Sequence, residues 1–450
     1  MTKKLPPGPK GTGVLNVLRR VRDPLGFLFS LHEQYGGIVC FPTFFRRTCV
    51  VFDADLINEV LSAQHSSFEK GPFAKSLVEN PTTGTAEGKE HQRMRKLVRP
   101  LYLRNALEGY GKIMVEAAGR LQEHWRDGDT VDIATNMHVM SQNVVSRTFF
   151  GQDTTFDPKL VEEMVRSGGW LLILTMLPFR KLIEHLPLPH NRRLEEQYAA
   201  FDQVVYDLIK RARNQDEERT DLVSLLTNAR DEEGIEQPLN DREIRDETLI
   251  QLFAGYETVA NSMAWCFYHL SRNPAARERM EQEIDEVLGG RLPTPADHSK
   301  LVYTRAVFDE SLRLNPPLYV VGRRAVEDCV IGGYDIPKGT VVQPVLLAPH
   351  LKEKYYPQAD EFKPERWLQG AKARPKNAYL PFSSGPRACI GSNYARLEAI
   401  TTLVTVSQRW RLEVISDDPP EVSALILYRF KHGLPVRLHK RKSAPLETSA

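Results

Sequence analysis

One cysteine lies among residues that would hold its sulfur in the ionised form. Cys389 belongs to the run Phe-Ser-Ser-Gly-Pro-Arg-Ala-Cys-Ile-Gly over residues 382–391, directly before a predicted helix. The glycines permit sharp turns and the close approach of another group. The start of a helix and the charge of Arg387 both favour a thiolate over a thiol. The pattern therefore predicts an anionic sulfur on a rigid loop, used as a nucleophile or as a metal ligand.

The surrounding sequence sets these two uses of Cys389 against a plainer one. A nucleophile needs a general base, but no histidine is near in the sequence, and His350 and His432 could approach only through the fold. A single thiolate suits a metal whose other ligands are not protein atoms, such as haem iron. A buried, inert cysteine would not explain the glycines and the arginine. We expect that inert role for the other cysteines, Cys40, Cys49, Cys266 and Cys329.

Residues 382–391 resemble the haem-binding loop of the cytochrome P450 superfamily, which reads Phe, two variable residues, Gly, variable, Arg, variable, Cys, variable, Gly. The resemblance implies that Cys389 is the axial thiolate ligand of the iron of haem b. It also implies that Arg387 faces a haem propionate. The cofactor contacts implied within the loop are Phe382, Gly385, Arg387, Cys389 and Gly391.

A second motif, Ala-Gly-Tyr-Glu-Thr at 254–258, lies in the middle of the long helix predicted over 241–271. Glycine inside a helix costs about 1 kcal/mol relative to alanine, and close packing against a bulky neighbour is its plainer explanation. The resemblance implies instead that Ala254 and Gly255 let the helix pass over the haem. It further implies that Thr258 hydrogen-bonds dioxygen or a nearby water and that Glu257 relays protons. Members of that family that use peroxide often lack such an acid–alcohol pair, so the resemblance implies the use of O2.

Three further basic residues are expected to hold the haem propionates. His91 and Arg95 are four residues apart on one predicted helix, where a solvated basic face is the plainer explanation. The resemblance implies that both bind a propionate and that Arg323, at the start of a predicted strand, does the same.

Three charged residues are expected to support the cysteine loop without a catalytic role. Glu310 and Arg313 are three residues apart and share one helix face. The plainer explanation is an exposed ion pair, which would contribute under about 1 kcal/mol to stability. The resemblance implies that Arg366, from the Pro-Glu-Arg-Trp segment, joins this pair and braces the coil before Cys389. For substrate contacts, the family's cavity regions suggest Phe73 and Val320.

The hydrophobic pattern predicts a mainly α protein with small β-sheets, an α+β fold. Strands are expected at 38–42 and 48–52 as a hairpin, and a second hairpin over 324–347. In the fold that the resemblance implies, haem lies between the long central helix and the cysteine loop, which precedes the last long helix. The other expected helices cover 87–126 with a break at Pro100, 133–150, 158–177, 191–229, 241–271, 275–288, 301–314 and 392–409.

Composition narrows the class of protein. The 450 residues include 60 Lys and Arg against 58 Asp and Glu, a net charge of +2 that argues against a nucleic-acid binder. The most apolar run, residues 170–178, is far shorter than the roughly 18 residues of a membrane span. We therefore expect a cytoplasmic monomer without a transmembrane anchor. One domain is expected over 1–450, with a Pro/Gly-rich lead at 1–13 and a flexible tail at 440–450.

The resemblance implies a haem-thiolate monooxygenase that activates O2 and inserts one oxygen atom into a C–H bond of a lipophilic small molecule. Electrons would come from a ferredoxin or flavodoxin with an NAD(P)H-dependent reductase, because no flavin or ferredoxin segment is evident. Three alternatives use the same haem site: epoxidation, oxidative C–C or C–N coupling, and peroxide-driven chemistry. A haem-thiolate sensor and a colourless cysteine-dependent transferase are the alternatives of other classes.

Overall fold

Long helices make up most of the protein in the computed structural model. It describes residues 4–11, 13–43, 46–151, 154, 156–177, 180–184, 186–214, 221–228, 239–370 and 375–441. The helices within these residues are α1 (Gly13–Arg22), α2 (Pro24–Tyr35), α3 (Ala54–Asn58), α4 (Gly88–Val98), α5 (Arg104–Leu121), α6 (Ile133–Phe149), α7 (Pro158–Met176), α8 (Arg180–Glu184), α9 (Pro189–Asn214), α10 (Leu222–Thr227), α11 (Asp241–Arg272), α12 (Pro274–Leu288), α13 (Val302–Leu314), α14 (Leu347–His350) and α15 (Ser392–Ser407).

Short strands form small sheets beside the helices. The largest described sheet has the order β1-β2-β8-β5-β3, and β12 lies between β4 and β9 in another. The strands are β1 (Ile38–Thr43), β2 (Arg46–Val51), β3 (Phe68–Lys70), β4 (Thr130–Asp132), β5 (Arg323–Ala325), β6 (Cys329–Ile331), β7 (Tyr334–Ile336), β8 (Val341–Pro344), β9 (Trp410–Val414), β10 (Val422–Ser423), β11 (Arg429–Phe430) and β12 (Pro435–Lys440).

The central helix α11 begins and ends where its sequence signals predict. The Asn240 side chain accepts hydrogen bonds from the N–H groups of Arg242 and Glu243, and the Glu243 carboxylate accepts one from the Asn240 N–H, which completes a capping box. The helix ends at Arg272, before Asn273 and a proline. At 1.5 Å per residue it extends about 48 Å. It packs against α6, α13 and α15, so it passes through the main hydrophobic core.

The other predicted helices appear with small differences in their bounds. Pro100 ends α4, and a short 3₁₀ turn over Arg99–Tyr102 leads into α5. The helix expected over 191–229 is instead two helices, α9 and α10. The Asp221 side chain caps the second by accepting a hydrogen bond from the Ser224 N–H. Residues 215–220, between these helices, lie outside the described residues.

The expected hairpins are also present. β1 and β2 pair antiparallel, with Ile38 opposite Val51. Within 324–347, β6 and β7 form a hairpin whose turn contains Gly332 and Gly333, both with positive φ. Outside it, β5 pairs with β8 and also with β3, which comes from far earlier in the chain. The prediction of a mainly α fold with small sheets is confirmed.

The expectation of four isolated, inert cysteines is wrong for two of them. Cys40 and Cys49 are direct partners in the β1–β2 ladder, and the structure joins them as a disulfide. Their pairing depends on the hairpin register, which brings residues nine positions apart to face each other. Cys266 is buried, and burial raises the pKa of its thiol to about 12. Burial also raises the pKa of Cys329 to about 11, so both stay as thiols.

Candidate active site

The cysteine loop is shaped by a glycine that no other residue can replace without displacing a neighbour. Gly385 has a φ of +73°, and a Cβ at this position would collide with the Leu61 carbonyl oxygen. The loop then closes through a hydrogen bond from the Cys389 N–H to the Phe382 carbonyl, at 2.9 Å. Gly391 follows as the residue before α15. The sulfur is thereby presented from a tight turn at the start of a helix.

The Cys389 sulfur is open to an internal cavity and lies deep within the protein. Burial raises the pKa of its thiol. The Gly391 N–H and the charges of Arg95 and Lys70 oppose that rise. The sequence prediction named Arg387 as the cation that favours the thiolate. The structure gives that effect to Arg95 and Lys70, because the Arg387 guanidinium is directed to other partners.

Two arginines hold the loop in place from its outer side. Arg387 donates to the Ala86 carbonyl at 2.9 Å and forms an ion pair with Glu87. Arg95 donates to the Ala388 carbonyl at 2.9 Å, one residue before the cysteine. These contacts join the cysteine loop to the residues just before α4 and to the last turn of that helix. The orientation of the sulfur therefore depends on residues almost 300 positions earlier in the chain.

The cavity beside Cys389 has a volume of about 310 Å³. Its walls come from the cysteine loop, the middle of α11, α4 and the strands β3 and β5. Aromatic and aliphatic side chains form much of the surface. The apolar and aromatic lining includes Tyr102, Phe149, Ile250, Val259, Phe308, Leu312, Phe382 and Tyr394.

The middle of α11 lies across the cavity from the cysteine. Ala254 and Thr258 face the cavity, and the Thr258 hydroxyl donates to the Ala254 carbonyl at 2.9 Å. Gly255 also lines the cavity, but a Cβ built on it would lie 3.0 Å from Cγ2 of Val145 on α6. Tight packing against α6 thus explains this glycine. This supports the plainer explanation of Gly255, which is close packing against a bulky neighbour.

Glu257 does not lie where the proton-relay prediction needs it. Its carboxylate is buried, is not among the described cavity-lining groups, and lies 3.4 Å from His138 and 3.3 Å from Arg429. Burial acts to raise the pKa of Glu257, but His138, Arg429 and a hydrogen bond from Asn261 outweigh it and hold the pKa at about 2. A relay through Glu257 requires the carboxylate to leave these partners, and it stays a prediction.

A cluster of basic side chains lies at one end of the cavity, and no acidic residue is among the described residues of its wall. Burial and mutual repulsion lower the pKa of His91 to about 4 and that of Arg323 to about 10. Glu87, behind the wall, forms an ion pair with Arg387. The cluster consists of Lys70, His91, Arg95, Arg323 and Arg387.

Lys70 belongs to this cluster but was missed by the sequence prediction. It is the direct partner of Arg323 in the β3–β5 ladder, and its side chain lines the cavity. Burial lowers the pKa of Lys70 to about 7, and the charges of Arg323 and Arg387 add to that effect. A lysine next to Gly71 carries no sequence signal of its own. Only the pairing of strands 253 residues apart places it here.

The cavity fits a flat, mostly apolar group that carries anionic substituents and a metal. Buried cations are costly unless an anion compensates them, and this wall provides five basic groups without an acid. One sulfur, that of Cys389, is available in the same cavity as a metal ligand. Haem meets these requirements with its iron, its apolar ring and its two carboxylates. The residues that would face the carboxylates are those of the basic cluster.

The predicted supporting trio is assembled, with Glu310 and Arg313 fully buried and Arg366 half-buried. Arg313 forms two hydrogen bonds of 2.9 Å with the Glu310 carboxylate, and Arg366 donates to the same carboxylate at 2.9 Å. Trp367 adds a fourth, from its indole N–H, at 2.9 Å. Arg313 also donates to the carbonyls of His350 and Ala359. The trio therefore fixes α13 to the coil that leads toward the cysteine loop.

His350 connects this trio to the loop, which the sequence did not indicate. Its Nδ1 lies 3.0 Å from the Arg313 carbonyl and its Nε2 accepts a hydrogen bond from the Leu380 N–H at 2.8 Å. This pair of contacts requires the neutral ring with its proton on Nδ1. Burial and the charge of Arg313 lower the pKa of His350 to about 3, consistent with that form.

A larger cavity of about 960 Å³ adjoins the first. Phe73 and Val320, the predicted substrate contacts, both line it, although neither lines the smaller cavity. The two cavities share part of their walls. The shared residues are Lys70, Leu318, Val321 and Arg323.

A cysteine loop that faces a long helix across a cavity, with a cluster of basic residues on the cavity wall, defines a haem-thiolate protein. The chain belongs to the cytochrome P450 family, whose model, described as "Cytochrome P450", matches residues 6–428. Its relatives include cyclooctat-9-en-7-ol 5-monooxygenase of Streptomyces melanosporofaciens. That enzyme is 32% identical over 402 residues, which cover 88% of this chain and 86% of the relative.

Two further similarities support the assignment. Pentalenene oxygenase of Streptomyces avermitilis is 30% identical over 430 residues, 94% of each chain. The solved structure of the retinoic acid-bound cyanobacterial CYP120A1 superposes with a TM-score of 0.88 at 25% identity. It covers 98% of this chain and 100% of its own.

Family membership confirms the predicted class of enzyme. The protein is a cytochrome P450 monooxygenase that uses haem and O2, acts on lipophilic substrates and takes its electrons from redox partners. None of the helices formed by the described residues has the length and apolar character that crossing a membrane requires.

Proposed function

We propose that this enzyme oxygenates a C–H bond of a largely hydrocarbon skeleton of terpenoid size. The observation that carries the proposal is the wide cavity of about 960 Å³ that adjoins the cavity beside Cys389 and shares part of its walls. Apolar side chains such as Phe73, Leu172 and Ile426 line it. Two similar proteins are named for cyclooctat-9-en-7-ol and pentalenene, and a third binds retinoic acid. All three names denote unsaturated carbon skeletons.

The cofactor in this proposal is haem b, held without covalent attachment. The five cysteines include no Cys-x-x-Cys-His motif of the kind that attaches haem covalently. Cys389 would be the iron ligand, and the Gly391 N–H would tune its sulfur. The haem carboxylates would bind among His91, Arg95 and the other basic residues of the cluster. When bound, haem supplies the iron at which O2 is activated.

The remaining residues position groups and protons around that centre. Thr258 presents a hydroxyl on the cavity side of α11, where it can donate to a bound oxygen species or to water. That hydroxyl now donates to the Ala254 carbonyl, so donation into the cavity requires its hydrogen to turn about the Cβ–Oγ1 bond. Glu310, Arg313 and Arg366 act on structure alone. Phe73 and Val320 would contact the substrate along the wide cavity.

Electrons would come from a ferredoxin or flavodoxin that docks over α4. This helix places His91 and Arg95 toward the cavity and exposes Lys89 and Lys96 on its opposite face. A positive face close to the thiolate suits an acidic partner, because charge complementarity accelerates association. A monomeric state and a cytoplasmic location complete the proposal.

The direct test measures substrate-induced spin change and turnover. The purified holoenzyme is titrated with a panel of cyclic terpene hydrocarbons and alcohols, and displacement of water from ferric iron is followed as a blue shift of the Soret band. The compounds that bind are then incubated with a ferredoxin, its reductase, NADPH and ¹⁸O₂. One ¹⁸O atom in the product is expected. A product whose new oxygen atom is unlabelled, and so comes from water, or a product formed equally well without O2, contradicts the proposal.

A further inference from the structure

Arg20, near the end of α1, carries a buried positive charge without an acidic partner. Its side chain is 9% exposed and donates a hydrogen bond to Oε1 of Gln343. Within the described parts of the chain, no carboxylate lies within ion-pair distance of its guanidinium. Burial lowers the pKa of Arg20, which the nearby Tyr319 partly offsets. A charge in this position is costly unless an anion compensates it.

Arg20 lines the wide cavity of about 960 Å³, together with a polar strip of the large sheet. Residues two apart on a strand share a face, as do directly opposed residues. Arg46 and Thr48 on β2 therefore share a face, and Thr43 lies opposite Arg46 on β1. On β8, Val341 lies opposite Thr48, so Gln343 is on this face too. One wall of the cavity thus carries two guanidinium groups, two hydroxyls and an amide.

The rest of the wall is different in character. Phe73, Leu172, Leu318 and Ile426 contribute apolar surface, and Leu318 also lines the cavity beside Cys389. Of the charged groups on the wall in the described residues, four are basic and one is acidic, namely Arg20, Arg46, Lys70, Arg323 and Glu184. The cavity is therefore amphipathic, with an excess of positive charge.

We propose that Arg20, with Gln343 and Arg46, binds a carboxylate on the substrate, so that the natural substrate is a carboxylic acid with an apolar skeleton. The planar guanidinium offers paired donors that match a carboxylate. The Gln343 amide nitrogen adds N–H donors for which no acceptor is recorded among the described residues. The inference rests on the proposed function, because the anchored end would leave the apolar end directed to the cavity of Cys389 and Thr258.

The test compares each acid with its own methyl ester, which has nearly the same skeleton and no charge. Dodecanoic, farnesoic and abietic acids and their methyl esters are titrated into the holoenzyme at pH 7.5, with the Soret shift as the signal. At least one acid is expected to bind about tenfold more tightly than its ester, as one charge-assisted contact predicts. In Arg20→Gln that preference is expected to disappear through weaker binding of the acid, with the ester unchanged.

Matched variants separate anchoring from a merely structural role. Arg19→Gln changes an exposed arginine on the same helix and is expected to keep the acid preference. Arg20→Lys keeps the charge and should retain part of the acid preference. Arg46→Gln changes an exposed side chain at the same end and should weaken acid binding severalfold. If Arg20→Gln loses the Soret band of the reduced carbon monoxide complex, Arg46→Gln is the variant that decides the test.

The outcomes are decisive in both directions. The carboxylate anchor is overturned if no acid in the panel is preferred over its ester, or if the preference survives in both Arg20→Gln and Arg46→Gln. Failure of the proposed function would look different. The wild type would then give no labelled product with any compound of either panel, the acids and their esters included.

Discussion

Lys70 and Arg323 lie directly opposite each other in the β3–β5 ladder, so two cations face each other at the edge of the haem cavity. Like charges in opposed positions destabilise a sheet. Both side chains are largely removed from water, and repulsion from Arg323 and Arg387 adds to the effect of burial in lowering the pKa of Lys70. The arrangement is unfavourable by itself, and it becomes favourable once an anionic group lies between the two side chains.

Removing one of these cations should therefore have opposite effects on the apoprotein and the holoprotein. In Lys70→Met, the apoprotein is expected to gain roughly 0.5–1 kcal/mol in its free energy of unfolding. Haem should dissociate about three to ten times faster, because one carboxylate partner is lost. Urea unfolding and haem transfer to excess apomyoglobin measure the two effects. Lys338→Met, at an exposed turn of the chain, is the control, and a more stable holoprotein would contradict the interpretation.

Substitution of the ligand gives the most direct readout of the site. Cys389→Ala is expected to remove the red-shifted Soret band of the reduced carbon monoxide complex, since that band requires thiolate ligation. Far-UV circular dichroism should be unchanged, because the loop is held by Gly385 against Leu61 and by the two arginines. Cys266→Ala, at a buried thiol far from the loop in sequence, should keep the band. Retention of the band in Cys389→Ala would refute the assignment of the ligand.

The hydroxyl of Thr258 is expected to govern how much oxygen ends in product. Without it, protons reach the oxygen less effectively, and more reduced oxygen escapes as peroxide. Thr258→Ala should raise the hydrogen peroxide released per NADPH consumed by severalfold. The control is Thr405→Ala. It removes a hydroxyl that donates the same kind of hydrogen bond, to the carbonyl four residues earlier, but lies on α15. Equal coupling efficiency in wild type and Thr258→Ala would disprove the role.

The Glu257 carboxylate should stabilise the fold in a pH-dependent way. Its pKa is held at about 2 in the folded protein, below the ordinary value near 4.3. The unfolded chain therefore binds the proton more readily, and the stabilisation is present above about pH 4 and is lost as the pH falls toward 2. It amounts to on the order of 3 kcal/mol at pH 7. Glu257→Gln should lose it, as urea unfolding at pH 7 and pH 3 would show.

The control for this measurement is Glu195→Gln, which changes an exposed carboxylate on α9. Its free energy of unfolding should differ little from that of the wild type at either pH. If Glu257→Gln is destabilised equally at pH 7 and pH 3, the effect comes from packing and not from the charge.

His350 should control the persistence of the haem-thiolate state on heating. His350→Leu leaves the Arg313 carbonyl and the Leu380 N–H without their shared partner, at a cost of about 2–4 kcal/mol for two buried groups. Because Leu380 leads into the cysteine loop, the carbon monoxide band should be lost several degrees lower than in the wild type. His439→Leu, at an exposed position on β12, should show no change. An unchanged melting curve in His350→Leu would rule out this coupling.

Local sequence signals were enough for the main helices and for the cysteine loop. The capping box at Asn240, the break at Pro100 and the glycines around Cys389 each act within a few residues of themselves. The sequence could also bring together Glu310, Arg313 and Arg366, because family motifs mark them. These predictions needed no knowledge of long-range pairing.

The parts that were missed depend on contacts between distant segments. Lys70 enters the cavity only through its pairing with β5, and the disulfide of Cys40 depends on the register of a hairpin. The direction of a helical side chain is a similar case. Glu257 and Thr258 are adjacent in the sequence, but α11 turns about 100° between them. Thr258 faces the cavity, whereas Glu257 faces α6 and β11.

The pairing of β3 with β5 also determines when the cofactor site can exist during synthesis. Lys70 leaves the ribosome long before Arg323, and Cys389 follows a further 66 residues later. Contacts between segments so distant in the chain form slowly, because a long loop must close before they contribute. The nascent chain can therefore fold its first helices early, whereas the complete site can capture haem only after Cys389 has left the ribosome.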